Sequence, residues 1–95
     1  MINKAYRTAS DIYRAITDSQ ILKDYTVIIA GKTGPTGKTT LCKLLVNAGV
    51  NAIEISETLN HYVQYSKGCD KNDMIVDDWN KTVLVILNRL RSNDN

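Results

Sequence analysis

The chain has no run of basic residues, no apolar stretch near the roughly 18 residues that a membrane span needs, and no cysteine–histidine cluster at zinc-binding spacing. Each absence excludes something. With 12 basic against 10 acidic residues the net charge is +2, dispersed along the chain and without a basic–aromatic stripe, so no nucleic-acid partner is expected. Without a membrane span or a leader-like start, the expectation is a soluble cytoplasmic protein with free thiols. The single histidine, His61, has neither Cys42 nor Cys69 at a metal-ligand distance along the sequence, and both cysteines read as structural. For Cys42 the alternative is a reactive thiol near a positive helix end. At 95 residues there is room for one domain, and a hydrophobic fraction of 43% gives it enough apolar material for a core.

The expected organisation is a single domain over 1–95: an N-terminal amphipathic helix over 1–24, a βαβ core with a C-terminal helix over 25–91, and a polar tail over 92–95. In the first segment, Tyr6, Ala9, Tyr13 and Ile16 recur at helical spacing from Asn3 to Asp24. Arg7 with Asp11, and Arg14 with Asp18, stand four apart and read as a paired, solvated face. Asp18-Ser19-Gln20 is expected to break or recap this helix. Tyr25 to Ala30 is a continuous, β-branched apolar run of the kind a buried parallel strand requires. Leu41, Leu44, Leu45 and Ala48 make a helical stripe stopped by Gly49. Asn51 to Ile55 is a second strand, parallel to the first because a helix connects them.

Between the first strand and that helix lies Gly31-Lys32-Thr33-Gly34-Pro35-Thr36-Gly37-Lys38-Thr39-Thr40. Strand, glycine-rich loop and helix start bring backbone N–H groups, a lysine ammonium and a hydroxyl to one point, which suits a polyphosphate. Lys38 is positioned to lie along the β- and γ-phosphates, Thr39 to offer its hydroxyl to Mg2+, and Gly37 to let the backbone approach without a Cβ. Gly31, Gly34, Thr36 and Thr40 complete the expected cradle. The spacing is irregular, since Gly31 stands one residue earlier than the usual glycine, four residues, Gly-Lys-Thr pattern. Either the loop carries one extra residue or Lys32 takes the first position.

Ser56 and Glu57 open a further helical pattern that runs to Gly68. Glu54, Glu57 and His61 follow the second strand's end, where an α/β sheet holds ligands. They read as a solvated helix start, with contact to a second substrate as the alternative. The segment from Asp70 to Arg91 has two readings. Met74 to Asp78 is a third strand ending in Asp77 and Asp78, a catalytic pair that would hold a magnesium-bound water opposite the cradle, or Val76, Trp79, Val83, Ile86 and Leu90 step by three and four along one helix. Under both readings Trp79 to Leu90 is predicted to be helical.

The stretch Val27 to Leu45, VIIAGKTGPTGKTTLCKLL, resembles the phosphate-loop start of P-loop nucleoside triphosphatases, in particular small adenylate-kinase-like nucleoside monophosphate kinases. NAIEISETL from Asn51 is similar to their second strand and following helix, and VDDWNKTVLVILNRL from Val76 to the helix before their next strand. The resemblance implies a shortened P-loop α/β fold, with two or three parallel strands flanked by helices and an extra N-terminal helix. It further implies ATP or another NTP as ligand, Mg2+ as its ion, and roles for Lys38 and Thr39 in holding them. The arginine-bearing lid of such kinases has no counterpart after Leu90, and Arg89 and Arg91 suit the end of a helix. The expected function is therefore nucleotide phosphate binding, with NTPase or nucleotide kinase activity completed by self-association or a protein partner that covers a sheet edge. The alternative is a non-catalytic binding or inhibitor module that acts by docking on another protein.

Overall fold

The computed structural model describes residues 2–31, 37–55 and 72–88. Over these described residues it is an α/β domain in which five strands form one mixed sheet, in the order β1-β4-β5-β2-β3. The strands are β1 (Ile2–Tyr6), β2 (Thr26–Gly31), β3 (Asn51–Glu54), β4 (Asn72–Asp77) and β5 (Thr82–Leu87), and the helices are α1 (Ala9–Asp18) and α2 (Lys38–Asn47). β2 lies parallel to β3 on one side and to β5 on the other. β4 runs against both of its neighbours, β1 and β5.

The expected strand at the start of the core, the helix after the loop and the second parallel strand are all present. Three differences stand out. The N-terminal helix is shorter than predicted: residues 2–6 form β1, and α1 begins only at Ala9, where the Thr8 hydroxyl accepts the Asp11 N–H at 3.1 Å as an N-cap. Arg14 pairs with Asp11 at 2.7 Å and not with Asp18, and this contact is the leading cause that holds the Asp11 carboxyl below its usual range. As expected, the chain leaves the helix at Asp18-Ser19-Gln20; Ser19 is extended, and a short 3-10 turn, Leu22–Asp24, leads into β2.

The third difference is the largest. Trp79 to Leu87 is no helix; Asp77 and Thr82 face each other across a β-hairpin, with residues 78–81 as its loop. A strand buried on both faces shows no alternation, so a helical spacing can be read into its apolar run. Lys81, at φ 50°, takes the left-handed conformation that closes the loop. The Asp77 carboxylate accepts the N–H groups of Trp79 and Asn80, at 3.1 and 3.3 Å, and the Asn80 side-chain amide at 2.7 Å. The Tyr25 hydroxyl donates to Asp78 at 2.6 Å, and the Lys81 ammonium stands 5.0 Å from the centre of the Tyr25 ring.

One face of the sheet carries Val27, Ile29, Ala52, Met74, Val76, Val83, Val85 and Leu87, packed with Ile12 and Ile16 of α1 and Leu41 and Leu45 of α2. Both helices therefore lie on that face. The end of α2 is a Schellman turn: Gly49, at φ 87°, donates to Val46 O at 3.0 Å and Val50 donates to Leu45 O at 2.9 Å. Ala30, Ile75 and Ile86 are buried although their side chains alternate with the core set. No described helix is long and apolar enough to cross a membrane.

Asp77 supplies a pH test of the hairpin. The Asn80 amide, followed by the backbone N–H groups of Asn80 and Trp79, holds its carboxyl below the usual range against an opposing contribution from burial. A depressed folded-state value stabilises the fold above the unfolded-state value, and this stabilisation disappears as pH falls through the folded-state value. Asp77→Ala is expected to lower the melting temperature at pH 7, with the gap from wild type closing in acid. A gap that stays constant down to acid pH in thermal melts contradicts this role.

Candidate functional site

In this topology β2, β3 and β5 present their carboxyl ends at one edge of the sheet, together with the start of β4. β2 delivers the glycine-rich loop to that edge, and α2 leaves from it. Gly31 is the last residue of β2 and pairs with Leu87 of β5. Its φ is 150°, and a Cβ on it would overlap the Leu87 carbonyl oxygen, so only glycine lets the two strands pass this closely. The glycine one place early in the motif is thus the residue on which the strand's exit depends.

Gly37 is the N-cap of α2, in the left-handed conformation at φ 88° and with no side-chain cap. No acidic residue stands in the helix's first turn, so its positive end is not neutralised from within. Lys38 begins the helix and folds its ammonium back to the Gly31 carbonyl at 3.1 Å, spanning the mouth of the loop. Thr39 follows, and its hydroxyl donates to the Glu54 carboxylate at 2.8 Å. Thr40 is exposed on the same helix. Gly34 and Thr36 lie outside the described residues, as do Glu57, His61, Arg89 and Arg91.

Glu54 is the last residue of β3, the strand parallel to β2. A carboxylate at a parallel strand's end, bonded to the hydroxyl that follows the loop lysine, puts several oxygen atoms beside the start of α2. In the sequence, Glu54 reads as part of a solvated helix start, with contact to a second substrate as the alternative, and is not paired with Thr39. The signal was available: an acidic residue closing the strand next to the loop strand points to the loop's own side of the sheet.

Asp77 and Asp78 are placed elsewhere. Because β4 runs antiparallel to β5, its carboxyl end pairs with Thr82, which is level with Thr26 of β2, about 17 Å of strand away from Gly31. Their carboxylates hold the hairpin and Tyr25, at the end of the sheet away from Gly31 and the start of α2. Asp78 also raises the Tyr25 pKa by accepting a hydrogen bond from its hydroxyl, with burial adding to the effect.

Two buried amides stand at the same end of the sheet. Asn72 and Asn88 are buried; Asn72 accepts the Asn88 N–H at 2.9 Å and donates to Arg7 O at 3.4 Å. These bonds tie the ends of β1, β4 and β5 together. Cys42, half-buried, points its thiol at Ala52 O from 3.7 Å. Burial first, and then the Glu54 charge, push the thiol pKa up, which favours the structural reading over the reactive one. Among the described residues no group of three or more His, Cys, Asp or Glu is assembled to hold a metal.

No protein-family model, curated protein or solved structure matches the chain. The site must be read from its own geometry.

Gly31→Ala is the direct test of the close strand crossing. It is expected to cost on the order of 3 kcal/mol in denaturant unfolding, because the obstructing atom is backbone and cannot swing aside. Gly37→Ala, with nothing near the added methyl and only the backbone conformation against it, is expected to cost less, about 1 kcal/mol. Equal costs would contradict the crossing as the constraint.

Proposed function

We propose that this chain binds the phosphates of ATP or another nucleoside triphosphate, with Mg2+, through the loop between β2 and α2. The observation that carries the reading is the Thr39–Glu54 hydrogen bond of 2.8 Å, one residue from Lys38 at the uncapped start of α2. A lysine, a hydroxyl and a carboxylate there supply the three kinds of contact that a magnesium–polyphosphate needs.

In this reading the N–H groups at the start of α2 receive the phosphate oxygens that complete the helix end. Lys38 leaves the Gly31 carbonyl for the phosphates and neutralises their charge. Mg2+ supplies charge neutralisation at the phosphate oxygens when bound. Thr39 and Glu54 fit its oxygen preference, Thr39 as a ligand and Glu54 through the Thr39 hydroxyl or a water. Glu54 also sets a condition: its negative charge at the mouth opposes a bare polyphosphate, so binding gains from the cation. A shortened P-loop fold in the cytoplasm remains the frame for this proposal.

Turnover requires further charge stabilisation at the transferred group. The described part of the loop and helix start contributes Lys38, and a second subunit or a protein partner is the proposed source of the rest. The alternative is a module that holds nucleotide, or keeps only the shape, and acts by docking.

Calorimetric titration with ATP and ADP, each with and without Mg2+, tests the reading. Lys38→Ala is expected to weaken binding by roughly 10- to 100-fold, the loss of a charge-assisted contact to phosphate. Glu54→Gln is expected to narrow the difference between binding with and without Mg2+. Phosphate release in the same samples separates an NTPase from a module that only holds its ligand. Wild-type protein that binds neither nucleotide under any of these conditions contradicts the proposal.

A further inference from the structure

Among the described residues β1 and β3 are the border strands of the sheet, and they differ in what they offer to a further strand. β1 carries the exposed Lys4, and a lysine on a border strand resists pairing with a second molecule. β3 and the residue after it, Asn51 to Ile55, carry no lysine, arginine or proline, and Ile53 is 46% exposed. The Ile55 N–H donates to Ile29 O at 2.9 Å, and in a parallel ladder alternate residues bond to the same neighbour. Asn51, Ile53 and Ile55 therefore turn their backbone groups towards β2, while Ala52 and Glu54 turn theirs outward. Above this border runs one flank of α2, where Thr39 reaches Glu54 and Cys42 reaches Ala52 O. Val46 lies one turn beyond Cys42 on the same flank and is 52% exposed.

We infer that β3 pairs antiparallel with β3 of a second copy of this chain, with Ile53 opposite Ile53. Hydrogen-bonded pairs across such a border can only join residues whose backbone groups point outward. Pairing Glu54 with Glu54 sets like charges face to face, and pairing Ala52 with Ala52 leaves Glu54 without its counterpart. Pairing Ala52 of each copy with Glu54 of the other uses both outward residues twice, separates the carboxylates and gives each Glu54 a small neighbour. Ile53 then meets its own mate as a non-hydrogen-bonded pair, with Cα atoms about 4.5 Å apart. The two-fold axis is normal to the sheet, so both α2 helices stand on the same face with their Val46 flanks turned to each other. The self-complementary register, with its charge separation, is what favours a second copy over an unrelated strand. A border of this length buries an area at the low end of specific interfaces, so the dimer forms with a roughly micromolar or weaker dissociation constant. It uses the backbone of β3, and so does not depend on nucleotide binding.

The test is a cysteine cross-link. In a Cys42→Ser, Cys69→Ser background, Ile53→Cys is oxidised and run on a non-reducing gel beside Asn51→Cys, which faces Ile55 of the other copy in this register. Ile53→Cys is expected to link into dimers and Asn51→Cys to stay largely monomeric. In sedimentation, wild-type mass is expected to rise towards twice that of the monomer with concentration. Ile53→Lys is expected to remain monomeric with an unchanged circular dichroism spectrum. The proposal is overturned by a wild type that stays monomeric into the hundreds of micromolar, by equal linking at both positions, or by a dimer that survives Ile53→Lys.

Discussion

The structure depends most on the passage of Gly31 across Leu87. β2 is the central strand of its parallel group, and its last residue slips past a backbone carbonyl that any Cβ would strike. That close approach fixes where β2 ends, and with it where the glycine-rich loop begins. Lys38 then anchors the far side of the loop to the same residue, through the Gly31 carbonyl. One glycine thus joins the packing of the sheet to the geometry of the proposed phosphate site.

The two ends of the sheet divide the work. At the carboxyl end of β2 the polar groups bond to one another from element to element: Lys38 to Gly31, Thr39 to Glu54, Asn72 to Asn88. At the opposite end the polar groups close a turn, with Asp77 capping its own hairpin and Asp78 holding Tyr25. In the first arrangement the Thr39 hydroxyl, already at the surface, can exchange its bond to Glu54 for another at small cost, because one hydrogen bond is given up and one gained. The second is a local scaffold, and an exposed Trp79 is carried on it.

Much of the core was legible in the sequence because its signals are local. A β-branched run ended by glycine marked β2, and Gly49 marked the end of α2. The parallel pairing of β2 and β3 followed from the helix between them. β1 was not legible: as a border strand with Lys4 it lacks a continuous apolar run, and Tyr6 was absorbed into the helical spacing of α1. The β4–β5 hairpin was missed because β5 is apolar on both faces, so its period is ambiguous. That error carried into the site. Strand direction decides which end of the sheet an acidic residue occupies, and with β4 reversed Asp77 and Asp78 moved to the far end. Glu54, at the end of a strand whose direction had been read rightly, is the carboxylate that meets Thr39.

The central claim is that the β2–loop–α2 unit is where phosphate binds. Amide proton–nitrogen NMR spectra of labelled protein, recorded during addition of magnesium ATP, test it residue by residue. The account predicts that shift changes gather at Gly31, Gly37, Lys38, Thr39 and Glu54, with the amides of Asp77 to Lys81 unmoved. Changes that gather at the hairpin, or no changes at saturating nucleotide, would contradict it.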